Sequence, residues 1–351
     1  MNKRTIDNEL HWINYVKAIS IIAIYYIHSQ EFFEYTIQGF ARYIVPFYVN
    51  AFFFISGYLL FRKQISGIME HKNDKKRLII NIFFRLIIPS ILFSIVVYFP
   101  SALIQGYELS IHSLIEKTIW GDTFWFISAL VVAELVLYGA FSLRIRNVAV
   151  YIAIGIIFYL FSNIIGTKTI TNTFTTNPWN CEKGFYAVIF LVGGGVYWRY
   201  EGLVDKIIRK PLVFVALLLL YFITLFYYSA QIKVLISINS FNLFGTIISF
   251  LSIMLLITIC KTIKTTNNVT RIFDNMGRHS IGFYFVCGAI PKVIMVLLPK
   301  VLEQGTIYYM LTGFALSLII AYIVVTLMVK YTPFVFDIRN GFGIRANKQT
   351  Q

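Results

Sequence analysis

Residues 12–29 read WINYVKAISIIAIYYIHS. The run is long enough for a helix to cross a bilayer, and most of it is apolar or aromatic. Its polar exceptions are not scattered. Lys17 and His28 lie eleven positions apart. At about 100° per residue that is roughly 20° past three full turns, so the two share one helix face about 16 Å apart. Asn14, three residues before Lys17, falls on the same face. A stripe Asn14–Lys17–His28 therefore runs along a helix built for lipid. An ionisable group inside a span costs several kcal/mol, and such residues pair or act in function. Lys17 either snorkels to the headgroups or binds an anion. His28 is either a hydrogen-bonded core histidine or, since histidine titrates near neutrality, a general base.

Outward from this helix, the composition is that of a chain whose solvent includes lipid. Hydrophobic residues make up 58% of the 351 positions and charged residues only 13%, against about 25% charged in a soluble domain. Mean hydropathy is +0.72. Ten spans are predicted: 12–29, 44–61, 78–99, 124–142, 148–165, 184–198, 211–229, 241–260, 279–299 and 307–329. The sixth is short and carries Gly193, Gly194 and Gly195, small residues that let helices approach closely. The opening MNKRTIDNELHWINYVK is basic and polar and has no small-residue cleavage site, so it reads as the entry to a retained helix.

Charge orients the spans. Alternate connections starting from the N-terminus, with Lys17 near the start of the first span, hold 23 Lys and Arg, among them Arg62, Lys63, Lys75, Lys76, Arg77, Lys206 and Lys261. The other connections, with Lys292 in the outer part of the ninth span, hold seven, and Arg85 lies inside the third span. Lys and Arg concentrate on the cytoplasmic side, so both termini are expected in the cytosol. The net charge of +15 is thereby accounted for as topology, and a nucleic-acid partner is not expected. The fold class is all-α integral membrane, a bundle of about ten helices forming one domain over 1–351. Cys181, Cys260 and Cys287 are far apart and lack metal-ligand spacing, so neither a disulfide framework nor a metal site is expected. The connection 100–123 is expected to hold a short interfacial helix near Trp120 and Trp125.

Further ionisable residues fall inside spans: Arg85 in the third, Glu134 midway along the fourth, and Lys292 in the ninth. Arg85 either binds an anion or pairs with Glu134. Ser56 and Gly57 read as helix-packing residues or as parts of a site, and Trp125 as an interfacial anchor or a substrate platform. Asp122 and Glu182 lie in connections where a sugar is within reach. His11, His71, His112 and His279, at span ends or in loops, are assigned no chemistry.

Several stretches carry a resemblance. WINYVKAISIIAIYYIHS resembles the opening helix of the membrane-bound acyltransferase-3 family, in which a basic residue, ten intervening residues and a histidine follow one another. Lys17 and His28 occupy those places. The usual basic residue is Arg, and lysine is common in the branch resembling fucose 4-O-acetylases. Asn14 stands where the family has Asp, which removes a charge partner. VPFYVNAFFFISGYLLFRK (45–63) resembles the second helix, with Phe53, Phe54, Ser56 and Gly57 matching its core. FFRLIIPSILF (83–93) matches the third through Arg85 and Pro89. DTFWFISALVVAEL (122–135) resembles the Trp-Phe-rich start of the fourth and ends near Glu134. MGRHSIGFYFVCGAI (276–290) is similar to a Ser-Leu-x-x-Tyr segment at Ser280, Ile281 and Tyr284; the family often has histidine where Cys287 falls.

The resemblance implies a membrane-bound O-acyltransferase of the plasma (inner) membrane, with acetyl-CoA as donor and no metal. The acceptor is a hydroxyl of an extracytoplasmic carbohydrate, such as a surface polysaccharide or its lipid-linked precursor. It makes His28 the base or a transient acyl carrier, and Lys17 and Arg85 the ligands of the CoA phosphates. Asn14, Ser56, Trp125, Glu134 and Tyr284 are then substrate or structural support. The competing expectation is a transporter or flippase of lipid-linked sugars, with a glycan polymerase as a third reading. A transporter is expected to show internal symmetry with matched interrupted helices, which the sequence lacks, and a polymerase to carry a large outer loop. Neither has a use for the Lys17–His28 stripe.

Overall fold

A computed structural model describes residues 10–35, 40–65, 78–105, 110–143, 147–170, 178–208, 210–232, 243–263 and 267–337, with the single positions 145 and 339. Every regular element among them is helical. In chain order these are α1 (His11–Phe32), α2 (Ala41–Ile44), α3 (Asn50–Ile65), α4 (78–105), α5 (Ile111–Thr118), α6 (Trp125–Ser142), α7 (Val148–Ile170), α8 (Cys181–Ile208), α9 (Pro211–Ile232), α10 (Leu243–Thr262), α11 (Asn268–Arg278), α12 (Ser280–Val286), α13 (Ala289–Leu297) and α14 (Ile307–Tyr331).

Among the described residues, five helices are long and apolar enough to cross a membrane: Leu78–Pro100, Trp125–Ser142, Val148–Gly166, Leu243–Thr262 and Ile307–Tyr331. Two bent pairs raise the number to seven. Cys181–Ile208 with Pro211–Phe226 meet at 102°, and Ser280–Val286 with Ala289–Lys300 at 44°. Each of the ten expected spans coincides with helix, but the ten do not score alike. Helix α1 is 22 residues long yet falls outside the set, because Asn14, Lys17, His28, Gln30 and Glu31 dilute its apolarity. The expected span 44–61 is divided between α2 and the 16-residue α3. The connection expected to hold a short helix holds α5, capped by the Ser110 side chain, which accepts from the Ser113 N–H.

The chain divides into two compact units, one formed by 1–37 and 256–351, the other by 38–255. In the first, α1 packs against α11, α12, α13 and α14. The Tyr25 hydroxyl donates to the Phe283 carbonyl at 3.0 Å, and Phe33 meets Tyr309 edge-on at 5.3 Å. Helices α1 and α11 approach so closely that a Cβ on Gly277 would lie 2.0 Å from the Asn14 carbonyl oxygen. In the second unit, α8 is the common partner of α3, α6 and α7. Gly57 and Gly194 make this possible: a Cβ on either would come within 1.9 Å of a backbone oxygen, that of Leu191 or Phe54. The packing expected of the glycine run is thus present at Gly194, where van der Waals contact between backbones takes the place of a hydrophobic drive.

Candidate functional site

The stripe on α1 has two ends, each met by other helices of the same unit. At the N-terminal end, Asn14 is buried and its Nδ2 donates to Asp274 Oδ1 at 2.9 Å. His11 Nδ1 lies 2.8 Å from the same oxygen. Arg278 donates from Nε to Oδ2 at 2.9 Å, with its Nη2 2.7 Å from that oxygen. Asp274 is thus a buried carboxylate with a donor at every approach. Burial pushes its carboxyl up, but the hydrogen bonds from Asn14, His11 and Arg278 outweigh that and hold it below the ordinary carboxylate range. A carboxylate is thus present beside position 14, supplied by α11 rather than by α1, and the Asn14 amide donates to it. Nearby, the Lys261 ammonium sits 4.7 Å over the Trp12 ring. Lys17, three residues on from Asn14, is half-buried.

At the C-terminal end stands His28. Its side chain is 35% exposed, yet Nδ1 is buried without a hydrogen-bond partner. The Glu31 carboxylate, one turn on, holds Oε2 3.7 Å from that nitrogen, too long for a hydrogen bond but within one small side-chain movement of it. The ring stacks on Phe32 at 5.9 Å. Cys287 is buried at the break between α12 and α13. Lys292 of α13 acts electrostatically on Glu31 and stands 5.8 Å over the Phe32 ring. Tyr284 is buried on α12, and its carbonyl accepts the Cys287 N–H at 3.3 Å. Histidine and carboxylate from α1 and an ammonium from α13 meet at this end.

The break between α12 and α13 has a cause. Pro291 cannot donate a backbone N–H to the carbonyl of Cys287, four residues earlier, and the chain bends by 44° between the two short helices. The same device positions Arg85 in the second unit. Pro89 lies four residues after it, and Phe83–Ile87 form a π-helical turn in which the Ile88 N–H reaches the Phe83 carbonyl. Such turns recur at functional sites. The Arg85 side chain is exposed, and Arg85 and Lys63 are the cations that act on the Glu134 carboxylate. Ser56 is half-buried on α3. The Trp125 ring carries the Lys183 ammonium at 4.8 Å.

The expected residues thus fall into two sets. Asn14, Lys17, His28 and Tyr284 belong to the first unit, and Ser56, Arg85, Trp125 and Glu134 to the second. Sequence reasoning missed Asp274 and Glu31. Glu31 carried a signal, since it stands three residues after His28 on one helix. Asp274 carried none, being 260 positions from Asn14. Among the described residues no group of three His, Cys, Asp or Glu side chains is placed to hold a metal ion.

A family model described as an acyltransferase domain, of the acyltransferase-3 type, matches residues 10–326. No curated protein and no solved structure matches the chain.

Proposed function

The chain belongs to the acyltransferase-3 family, and from that premise we propose that it transfers an acyl group, acetyl first of all, from cytosolic acyl-CoA to a hydroxyl of an extracytoplasmic carbohydrate. Acyltransferase chemistry and a multi-pass membrane location follow from the family and from the apolar helices. The donor, the acceptor and the residue roles are this proposal's own. It places the protein in the plasma (inner) membrane with about ten spans and both termini cytosolic, on the strength of the 23-to-7 division of Lys and Arg.

The observation that carries the reading is the α1 stripe with His28 at one end. In this orientation Lys17 is nearer the cytosol, where CoA is, and His28 is nearer the acceptor. The separation of about 16 Å is comparable to an extended pantetheine arm. Lys17 binds a phosphate of the donor as a point charge. His28 takes the proton from the acceptor hydroxyl as its oxygen attacks the acyl carbonyl. Glu31 turns the imidazole and stabilises the cation that forms. In the other unit, Arg85 in its π-helical turn is proposed as a phosphate ligand in its own right, balanced in the resting protein by Glu134. Ser56, Trp125 and Tyr284 line or support these positions.

The test uses membranes containing the full chain, radiolabelled acetyl-CoA and glycans from the same envelope. Acyl transfer gives alkali-labile label in a glycan that depends on the protein. Label in no glycan, with the protein present at normal level, replaces this reading by transport of lipid-linked sugars.

A further inference from the structure

We propose that the turns Trp120–Asp122 and Trp179–Asn180 of the second unit form the floor of a recess that binds sugar rings of the acceptor glycan; this rests on the acyl-transfer reading above. Three of the five tryptophans of the chain stand at this end of the unit. The two turns are locked to one another. The Trp179 N–H donates to the Trp120 carbonyl at 2.9 Å, and the buried Asn180 donates from Nδ2 to the Gly121 carbonyl at 3.4 Å. Ser128 of α6 donates to that same carbonyl at 2.9 Å. Lys183 of α8 donates to Asn180 Oδ1 at 2.9 Å and stands over the Trp125 ring. Trp120 and Trp179 are each only half-buried. The backbone is held against its preference, with φ of 62° at Trp179 and 48° at Asn180. A bulky residue in the left-handed region persists only where its surroundings fix it, and such residues gather at ligand clamps. A tryptophan that anchors a helix end among headgroups needs no such turn.

The floor lies below the ends of its own walls. Helices α4 and α6 are level where Ile87 and Ile91 line one groove with Ile127, Val131 and Trp179. From Ile91, α4 runs on to Gln105, about 21 Å farther, whereas α6 begins at Trp125, about 3 Å beyond Ile127. On the other side, Tyr159 of α7 is level with Tyr186 of α8, their rings 6.1 Å apart. Beyond that level α7 climbs about 16 Å to Ile170 and α8 only about 8 Å to Cys181. Helix α5 runs back down α4. The Tyr98 hydroxyl donates to the Ser110 carbonyl at its start at 3.3 Å, and Thr118 at its end lines the groove with Ile91. The Trp120 turn is thus sunk about 10–20 Å below the ends of α4 and α7. Non-helical backbone at such a depth is tolerated where it is buried in protein or lines a water-filled cavity. Asp122 and its partner Lys117 keep 54% and 45% of their side chains exposed, and a charged pair that open belongs in water. Indole faces with a few polar groups around them suit a pyranose ring. Its C–H face lies on an indole, and its hydroxyls exchange hydrogen bonds with the Asp122 carboxylate, the Lys183 ammonium and the indole N–H groups. On the proposed orientation this recess opens to the acceptor's side.

The test uses the purified full chain in lipid nanodiscs. The probe is a set of tritium-labelled oligosaccharides cut from the same envelope and cleared of O-acyl groups with mild alkali. Wild-type protein is expected to bind them saturably with no acyl-CoA present. Trp120→Ala and Trp179→Ala are expected to weaken that binding about tenfold or more. They are expected to raise KM for the oligosaccharides by a similar factor and to leave KM for acetyl-CoA unchanged. Trp120→Phe and Trp179→Phe keep a flat ring and replace the alanine variants if those do not fold; they weaken binding about threefold. Trp12→Phe and Trp198→Phe are expected to behave as wild type. Binding and KM at wild-type values in the folded Trp120 and Trp179 variants overturn the proposal, as does an equal loss in Trp12→Phe or Trp198→Phe. Either result leaves the acyltransferase reading standing. Binding that depends on Trp120 and Trp179, with no acetyl transfer by any protein, keeps the recess as a sugar site and removes that reading. A wild-type protein that neither binds the oligosaccharides nor acetylates them removes both together.

Discussion

At the scale of single residues, Asp274 is the group on which the N-terminal end of α1 depends. It takes hydrogen bonds from Asn14 and Arg278 and faces His11. Removing it strands the buried Asn14 donor, at a cost of about 1–3 kcal/mol, while His11 and Arg278 are exposed enough to turn to water. Asp274→Ala is expected to lower stability by about 2 kcal/mol, read as a fall in thermal midpoint in detergent, whereas His112→Ala, at an exposed position, changes it by less than about 0.5 kcal/mol. The acid response has a definite sign. The Asp274 carboxyl is held below its ordinary value in the folded protein. Its contribution is therefore fully present above about pH 4 and is lost as pH falls through the lowered value. The stability gap between wild type and Asp274→Asn is expected to be flat from pH 5 to 8 and to close in stronger acid. A gap that instead widens below pH 4 contradicts this assignment.

At the scale of elements, close approach of backbones decides the helix pairs. Gly277 admits α11 against α1, and Gly194 and Gly57 admit α8 against α3. Gly277→Ala and Gly194→Ala place a methyl group about 2 Å from a carbonyl oxygen of the neighbouring helix. Overpacking of this kind costs about 1–3 kcal/mol or more. Gly139 lies within α6 with nothing near its would-be Cβ, so Gly139→Ala is expected to be neutral or stabilising by up to about 1 kcal/mol. Thermal midpoints of the three variants rank the pairs directly; a tolerant Gly277→Ala sinks the close-approach account. The elements also mark where reading from sequence stops. Helix positions follow from long apolar runs, and the Lys17–His28 face follows from the 100° period. The 44° bend at Cys287–Gly288 does not, because a proline four residues downstream either kinks a span or is absorbed in a first turn, according to the neighbours. Asp274 could not be read at all. Its significance lies in a partner 260 positions away, and its own helix is polar.

At the scale of the molecule, the charge division is a claim about which side each connection faces. With ten spans, reporter fusions at the two ends are expected to give cytosolic signals, and fusions in 166–183 the opposite signal. A count of seven, with each bent pair crossing once, places the two ends on opposite sides. The experiment thus separates the topologies that the helices alone leave side by side. On the proposed reading, orientation gives the α1 stripe its direction, from a donor phosphate at Lys17 to an acceptor hydroxyl at His28.

The central claim is that His28 is the base for acyl transfer, and the most direct measurement is the rate of acetyl transfer from radiolabelled acetyl-CoA to envelope glycan in membranes matched for protein level. His28→Ala is expected to lose between about a hundredfold and ten-thousandfold of the wild-type rate, the range contributed by a positioned base. Transfer by His28→Ala at the wild-type rate contradicts the account.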